Sequence, residues 1–515
     1  MGSGYFDPDR RRSERGGSRQ GADRTMKHFG LKRIQSGCIE GKLMMLCGAL
    51  TAIPMLTACF YPETLSDLAA FAIPALSSLI AGAVVCLKNQ PQDNEAPRPQ
   101  LIKKGSFFVL FAWSYGIVIG ALPFVLAGQL SWVQSLFESV SGWTTTGLSV
   151  MDVAQTSPLF LFHRGFMQYC GGLGFVMVMT LFIQNKQSMN LFQAEGHSDQ
   201  LTPNLGRTVR VIFLMYTTFL IFGVAAYRIA GMSLFDGLIH AMCALSTGGF
   251  STRVESIGYY NSPLIEFITI ILMLIGTTNF AALLLLMRRQ VRQFLAVSEV
   301  RFMGLLLAGA VPLTALVLFS AAYAHLSDSF RIALFEVVSA LSTSGFSTVG
   351  YARWPQAAVL VLIVMMLIGG GIGSTAGGIK LTRMYLMLRA MNNHLQNKSA
   401  PAGAVSLSFY IRPQGRTLID PKLLADTSCF VFSYLLIYFI GTFLLMLTAN
   451  CSLIEAMFDF ASSLGTVGLS IGITGPLTPP LALIVEMAGM LLGRLEIFIV
   501  LIGIRTLFQQ IKAAF

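Results

Sequence analysis

Thr145-Thr146-Gly147-Leu148-Ser149, Thr247-Gly248-Gly249-Phe250-Ser251, Thr343-Ser344-Gly345-Phe346-Ser347 and Thr466-Val467-Gly468-Leu469-Ser470 are four variants of one string. Each closes a short semi-polar stretch that is itself repeated. At shared places upstream of the glycine stand Leu136, Leu238, Leu334 and Met457, then Phe137, Ile239, Phe335 and Phe458, then Glu138, His240, Glu336 and Asp459. A self-similar unit recurring in register fixes an architecture before any single motif is read. Ordinary Thr/Gly/Ser turns would not share the upstream pattern.

Working outward from these loops, long apolar segments flank every copy. Outer helices are predicted at about 105–127, 209–230, 300–325 and 424–448, and short helices begin near Ser131, Ser233, Ser329 and Ser452. Closing helices are predicted at about 158–183, 262–287, 356–390 and 478–508. Runs of about 20 apolar residues are what a helix needs to cross about 30 Å of hydrocarbon. Two spans per unit keep the four units parallel, so their loops enter the membrane from one face and leave by the same face. Segments 43–61 and 67–87 add a leading hairpin, followed by a linker with Pro91, Pro97 and Pro99.

The predicted fold class is therefore all-α and integral to the membrane. Two leading helices precede four helix–short helix–helix repeats in pseudo-fourfold arrangement around one pore, with about ten spans and four re-entrant loops. The divisions are a basic, disordered cytoplasmic tail over 1–40, the hairpin and linker over 41–104, and repeats over 105–190, 205–295, 300–395 and 420–515. The tail lacks the apolar stretch that follows the charged start of a signal peptide.

Composition agrees with a membrane solvent. Of 515 residues 54% are hydrophobic and 12% charged, and the mean hydropathy is +0.66; a soluble domain carries about 25% charge. The net charge of +11 is topogenic, with no nucleic acid implied. In this topology Arg228, Arg253, Arg331 and Arg353 fall outside, Arg164 and Arg494 fall within spans, and the remaining basic residues gather on the cytoplasmic side. The cysteines Cys38, Cys47, Cys59, Cys86, Cys170, Cys243, Cys429 and Cys451 show no metal-binding spacing and read as small packing residues.

Irregular backbone at membrane depth is tolerated only where protein buries it or where it lines a wet cavity. A short helix entering from outside aims its partly negative C-terminal end at the membrane centre, and rings of backbone carbonyls replace the hydration shell of a cation. Glycine lets a carbonyl turn inward. The candidate cation-binding residues are Thr145, Thr146, Gly147, Thr247, Gly248, Gly249, Thr343, Ser344, Gly345, Thr466, Val467 and Gly468. No carboxylate lies within the loops, which favours a monovalent cation. Glu138, Glu336 and Asp459 are read either as helix caps or as groups that concentrate cations at the entrance; His240 interrupts that series.

The third closing helix meets Gly369, Gly370, Gly371, Gly373, Gly377 and Gly378, with Ser374 among them. Each interior glycine costs a helix up to about 1 kcal/mol, so a loop inside the membrane is expected. The run follows an apolar helix and lacks the spacing of a phosphate cradle. Close helix packing is the competing account, yet Gly171-Gly172, Gly276, Gly369 and Gly493 lie at similar depth in all four closing helices. Arg494, between Met490-Leu491-Leu492 and Ile497-Phe498-Ile499, is an ionisable residue at membrane depth and hence a candidate functional group. Its expected partners are Glu496, carbonyls of the 369–378 loop, or both. It serves as a structural ion pair or as an electrostatic barrier holding a gate.

These four loops, the leading hairpin, the run Gly369-Gly370-Gly371-Ile372-Gly373-Ser374-Thr375-Ala376-Gly377-Gly378-Ile379-Lys380 and Gly493-Arg494-Leu495-Glu496 together resemble the Trk/Ktr/HKT superfamily of potassium transporters, in its bacterial TrkH/TrkG branch, over about 40–515. The resemblance implies K+ as the transported ion and a homodimer with one pore per subunit. It further implies a bacterial inner membrane, with both termini cytoplasmic, and a cytoplasmic nucleotide-binding partner of the TrkA type. NAD or ATP would act only through that partner. An arginine below the filter then reads as the barrier. Each loop has one glycine where a TVGYG signature has two, which implies weaker discrimination against sodium.

Two other functional classes compete with this one. A sodium-coupled secondary transporter would also use broken helices, but four parallel repeats argue against it. An intramembrane enzyme with Ser374 as nucleophile lacks a neighbouring base, so no enzyme is expected. Arg288-Arg289-Gln290-Val291-Arg292 and the 391–423 segment are candidate docking surfaces for a partner or ordinary topogenic loops.

Overall fold

Each repeat is delimited by residues that start helices. Ser131, Ser233 and Ser452 cap the first, second and fourth short helices, Trp132–Trp143, Leu234–Leu245 and Leu453–Gly465. At Ser131 and Ser452 a reciprocal bond with Gln134 or Glu455 completes a capping box. The third short helix, Leu326–Ser342, begins a turn before the expected Ser329, whose hydroxyl instead bonds back to the His325 carbonyl at 3.1 Å. Proline opens the closing helices: Pro158, Pro263 and Pro480 stand at their first position and Pro355 caps the remaining one. A missing N–H is harmless there.

The structure, a computed structural model, describes residues 38–88, 98–174, 205–321, 323–399, 408–495 and 497–514. The N-terminal tail to residue 37, most of the proline linker, the expected extension of the first closing helix beyond Gly174, part of the 391–423 segment and Glu496 lie outside the described residues.

The leading pair, Ile39–Ala52 and Leu68–Lys88, packs backbone to backbone. A Cβ on Gly41 would strike the Gly82 carbonyl and one on Gly82 the Gly41 carbonyl, the close approach that small residues permit between membrane helices. Outer helices run Arg98–Leu126, Leu205–Ile229, Ser298–Ala321 and Pro421–Ala449. A two-stranded hairpin, Phe409–Arg412 with Gly415–Leu418, precedes the last of these.

The closing helices break at the depth of the expected glycines, so the single ranges 158–183, 262–287, 356–390 and 478–508 are corrected to shorter helices. They end at Leu173, Thr277, Ile368 and Arg494. The second then turns by 116° into Phe280–Met287 and the fourth by 105° into Ile497–Thr506. Among the described residues six helices are long and apolar enough to cross a membrane, or up to eight if each bent pair is one span. The shortfall from ten lies in the first and third closing helices, Pro158–Leu173 and Gln356–Ile368. Glycine stands at or within two residues of every end: Gly369 caps the third, and Gly171, Gly276 and Gly493 bring the other closing helices against the carbonyls of Trp143, Leu245 and Leu464 at the ends of the short helices. Packing and breakage are thus one feature.

Each closing helix packs on the short helix of the next repeat, first on second, second on third, third on fourth, and fourth on first. The apolar cores follow the same circuit, since Leu483 and Met490 of the fourth closing helix join the core of the first repeat. The chain therefore closes on itself around a central axis formed by the ends of the four short helices.

Candidate functional site: a ring of four loops

All four short helices end alike. The N–H of Thr146, Gly248, Ser344 and Val467 reaches back to the carbonyls of Ser141, Cys243, Ser339 and Ser462 at 2.9, 2.8, 3.0 and 2.8 Å. Inside that bond the N–H of Thr145, Thr247, Thr343 and Thr466 meets the next carbonyl. This paired closure calls for a left-handed residue, usually glycine. Here it is threonine four times, at φ of 56°, 51°, 56° and 51°. A β-branched residue there is strained, and strain repeated at four equivalent places marks a constrained site.

The glycines that follow meet head to tail. A Cβ on Gly147 would strike the Gly248 carbonyl, one on Gly249 the Ser344 carbonyl, one on Gly345 the Val467 carbonyl, and one on Gly468 the Thr146 carbonyl. The circuit closes, so the twelve candidate residues named from sequence are brought into one ring. Thr145 Oγ1 and Thr466 Oγ1 are buried and have no hydrogen-bond partner among the described residues. Their counterparts Thr247 and Thr343 bond the loop below: Thr247 Oγ1 lies 3.2 Å from Thr375 Oγ1, and Thr343 Oγ1 accepts from Gly377 N at 2.9 Å.

Neither reading of the upstream acidic positions survives. Glu138, His240, Glu336 and Asp459 lie midway along the short helices and are 0% exposed, so they neither cap helices nor face an entrance. Each instead braces the chain just past the loop glycine. Glu138 accepts from Ser149 Oγ (3.0 Å) and Val150 N (3.1 Å). Glu336 accepts from Thr348 N (2.8 Å), and also from the Tyr351 hydroxyl. Asp459 accepts from Ser470 Oγ (2.7 Å) and Ile471 N (2.9 Å). His240 Nδ1 faces the Asp236 carbonyl at 2.7 Å, which only accepts, so Nδ1 donates; the neutral ring then offers Nε2 to the Ser251 hydroxyl at 3.0 Å. What the position requires is an acceptor, and histidine supplies one.

Sequence reading also missed two residues of the first closing helix. Arg164 pairs with Glu138 at 2.5 Å and lies 4.1 Å from the centre of the Phe250 ring, joining the first repeat to the second loop. Gln168 donates from Nε2 to the Gly248 carbonyl at 2.5 Å and accepts from Phe250 N at 3.1 Å. A side chain at Gly248 would occupy the space of Gln168, which accounts for glycine in this loop where the others carry Thr146, Ser344 and Val467. Polar residues within an otherwise apolar span were the available signal. Gln168→Leu removes a donor and an acceptor from the second loop, at about 1–3 kcal/mol for each group left unpaired. Rubidium uptake is expected to fall at least about fivefold with the protein still folded, measured in proteoliposomes.

The glycine run after Ile368 lies directly beneath the ring. Gly371 N bonds the Thr277 carbonyl at 3.0 Å, Thr375 Oγ1 the carbonyls of Leu245 and Gly276 at 3.0 and 2.9 Å, and Ile372 N the carboxylate of Glu299 at 3.0 Å. A Cβ on Gly377 would strike Thr466 Oγ1. Ser374 Oγ is taken up in a turn with the Gly371 carbonyl at 2.7 Å. Gly369, Gly370, Gly373 and Gly378 lie in the same crossing. Half-buried Arg494 spans it, donating to the Thr375 carbonyl and the Gly171 carbonyl, each at 2.6 Å. The bond to the loop was expected; the bond to the break in the first repeat was not.

The family model described as "Cation transport protein", TrkH, matches residues 81–512. The chain is similar to the Trk system potassium uptake protein TrkG of Escherichia coli, at 30% identity covering 78% of this chain and 84% of the relative. It is similar to the Trk system potassium uptake protein TrkH of Halomonas elongata at 29%, covering 90% and 96%. Among solved structures, the crystal structure of the potassium transporter TrkH from Vibrio parahaemolyticus matches with a TM-score of 0.79 and 28% identity, covering 92% of this chain and 98% of that one.

Proposed function

The chain belongs to the TrkH family of cation transport proteins, multi-pass membrane proteins of potassium uptake, and from that premise we propose that potassium passes along the axis of the four-loop ring. The closed circuit of glycines and carbonyls is the single observation that carries this reading. Carbonyl oxygens of the ring replace the water of a monovalent cation. The buried hydroxyls of Thr145 and Thr466, without partners among the described residues, belong to the same four loops and suit a cation as further oxygen ligands. The C-terminal ends of the four short helices add negative potential at the axis.

Beneath the ring, the loop from Gly369 to Lys380 and Arg494 act as the gate. The loop bonds the second and third threonines of the ring, so it obstructs the path until those bonds open. The transport unit is a homodimer in a bacterial inner membrane, its termini cytoplasmic, and a TrkA-type nucleotide-binding subunit biases the gate from the cytoplasmic side. Arg288, Arg289 and Arg292 are exposed and offer that subunit a basic face. The repeat boundaries at 105–190, 205–295, 300–395 and 420–515 are part of the same reading.

The test is cation flux in proteoliposomes. A potassium gradient alone is expected to drive rubidium uptake with no sodium or pH gradient, and potassium is expected to be favoured over sodium. Flux that appears only when a sodium gradient is imposed would replace the pore with a sodium-coupled carrier.

A further inference from the structure

Behind the fourth loop the structure holds two carboxyl groups and too few donors for both. Asp459 of the fourth short helix and Glu486 of the fourth closing helix are each 0% exposed. Thr474 stands between them, its hydroxyl 3.2 Å from Asp459 Oδ2 and 2.8 Å from Glu486 Oε1. A hydroxyl has one proton and can donate to one of these oxygens at a time. The other oxygen of Glu486, Oε2, is buried with no hydrogen-bond partner among the described residues.

Elsewhere in the fold, three buried carboxylates near the loops are balanced by arginine, and Glu336 has the Tyr351 hydroxyl and Thr348 to itself. Glu138 meets Arg164 at 2.5 Å, Glu266 meets Arg331 at 2.6 Å, and Asp236 meets Arg253 at 3.0 Å. Arg164 and Glu486 stand at nearly the same step of their closing helices, so the fourth repeat carries an acid close to where the first carries the base. Among the described residues neither carboxyl group has an ion-pair partner: Lys422 at the start of the outer helix and Arg494 at the end of the closing helix pair with neither. Cys451, just before the same short helix, is a further titratable group near both carboxyls, while Glu455 of that helix is engaged with Ser452 in the capping box. Tyr438 of the outer helix spends its hydroxyl on the Met457 carbonyl. Glu138, on the first short helix against the fourth closing helix, already has Arg164, and the third closing helix, Gln356–Ile368, contains no titratable residue.

We infer that Asp459 and Glu486 form a proton-binding pair that holds one proton in the resting protein. Two buried carboxylates sharing a site do not both ionise, and the proton belongs to the pair as a unit. On Glu486 Oε1 the proton is donated to Thr474 Oγ1, which frees that hydroxyl to donate to Asp459 Oδ2, and one of the two charges is cancelled. A metal ion is a poorer occupant: hard cations take about six oxygens, and the described residues hold no group of three or more acidic, histidine or cysteine side chains able to bind one. Because Asp459 also holds Ser470, Ile471 and Thr474, the proton keeps the outer limb of the fourth loop against its helix. The inference stands apart from the potassium path, since its test reads a carboxyl group and no flux.

The experiment is infrared spectroscopy of the full chain in lipid nanodiscs at neutral pH, wild type against Glu486→Gln. A protonated carboxyl stretch is expected in the wild type, missing in Glu486→Gln, and unchanged when sodium and potassium are exchanged for choline. Glutamine is the neutral isostere of a protonated glutamate, so Glu486→Gln is expected to melt within a few degrees of the wild type, whereas Glu138→Gln, which strips Arg164 of its partner, melts much lower. The absence of a carboxyl band that the substitution removes would overturn the proposal. So would failure of Glu486→Gln to fold, and a band that appears only after sodium is withdrawn would assign the site to a metal cation instead.

Discussion

Gly345→Ala is expected to lower potassium uptake at least about 100-fold, the equivalent of about 3 kcal/mol, in a protein that still inserts and folds. Gly345 has φ of 73°, a conformation that costs an L-residue about 1–2 kcal/mol. Its new methyl group would also fall on the Val467 carbonyl and the Gly468 Cα. Those are backbone atoms of the adjoining loop and have no rotamer by which to yield. The third and fourth loops must part, and an oxygen leaves its place in the ring. Gly345→Arg would do the same more severely. Gly304→Ala is the control: Gly304 sits in an outer helix with open space where a Cβ would go, so the change should leave uptake alone and favour the helix by up to about 1 kcal/mol. Rubidium uptake with a gel-filtration profile for each variant decides the matter. Wild-type uptake by a folded Gly345→Ala protein would remove the ring from the ion path.

The unequal legibility of this chain has a physical origin. Helices, loops and breaks were readable because each is set by local residues and then stated four times: a proline or serine to start, a threonine and glycine to end, a glycine again at the depth where the closing helix stops. Apart from Arg494 on the 369–378 loop, contacts between repeats were not readable, because the partners are remote in sequence. Gln168 reaches Gly248 across 80 positions and Arg494 reaches Gly171 across 323. Periodicity marks such residues only as polar positions in apolar helices, a signal that also singles out Arg164, Glu266 and Glu486.

The braces at Glu138, His240, Glu336 and Asp459 teach a different point. Their charge suggested a surface role, and the histidine looked like an exception to it. In the fold the chain after each loop glycine runs back along its short helix with backbone N–H or hydroxyl groups to satisfy, and an unpaired buried donor costs about 1–3 kcal/mol. Carboxylate and neutral imidazole answer that need equally well. Charge was incidental in three repeats, and its consequences had to be met separately, by Arg164 in the first and by Tyr351 in the third.

Arg494→Ala is expected to raise potassium flux about 10- to 30-fold, and the direction follows from where the guanidinium lies. Its two nitrogens bridge the Thr375 carbonyl of the crossing loop and the Gly171 carbonyl of the first closing helix, beneath the ring of four loops proposed as the cation path. A unit charge about 8 Å from a passing cation opposes it by about 2 kcal/mol at an effective dielectric constant of about 20, which is about 30-fold in rate. Loss of the bridge would act in the same direction by loosening the loop, so alanine alone does not separate barrier from tether. Lysine does, because it keeps the charge while its compact ammonium cannot reproduce the planar fork. Thr375 stays anchored without the arginine, through its N–H to the Gly276 carbonyl at 3.2 Å and its hydroxyl to Leu245 at 3.0 Å. Charge is therefore the larger loss, and Arg494→Lys should conduct within about threefold of wild type. Single-channel or tracer flux for both variants checks this: a lysine variant as fast as alanine would make the residue a tether, and an alanine variant no faster than wild type would end its role in the gate.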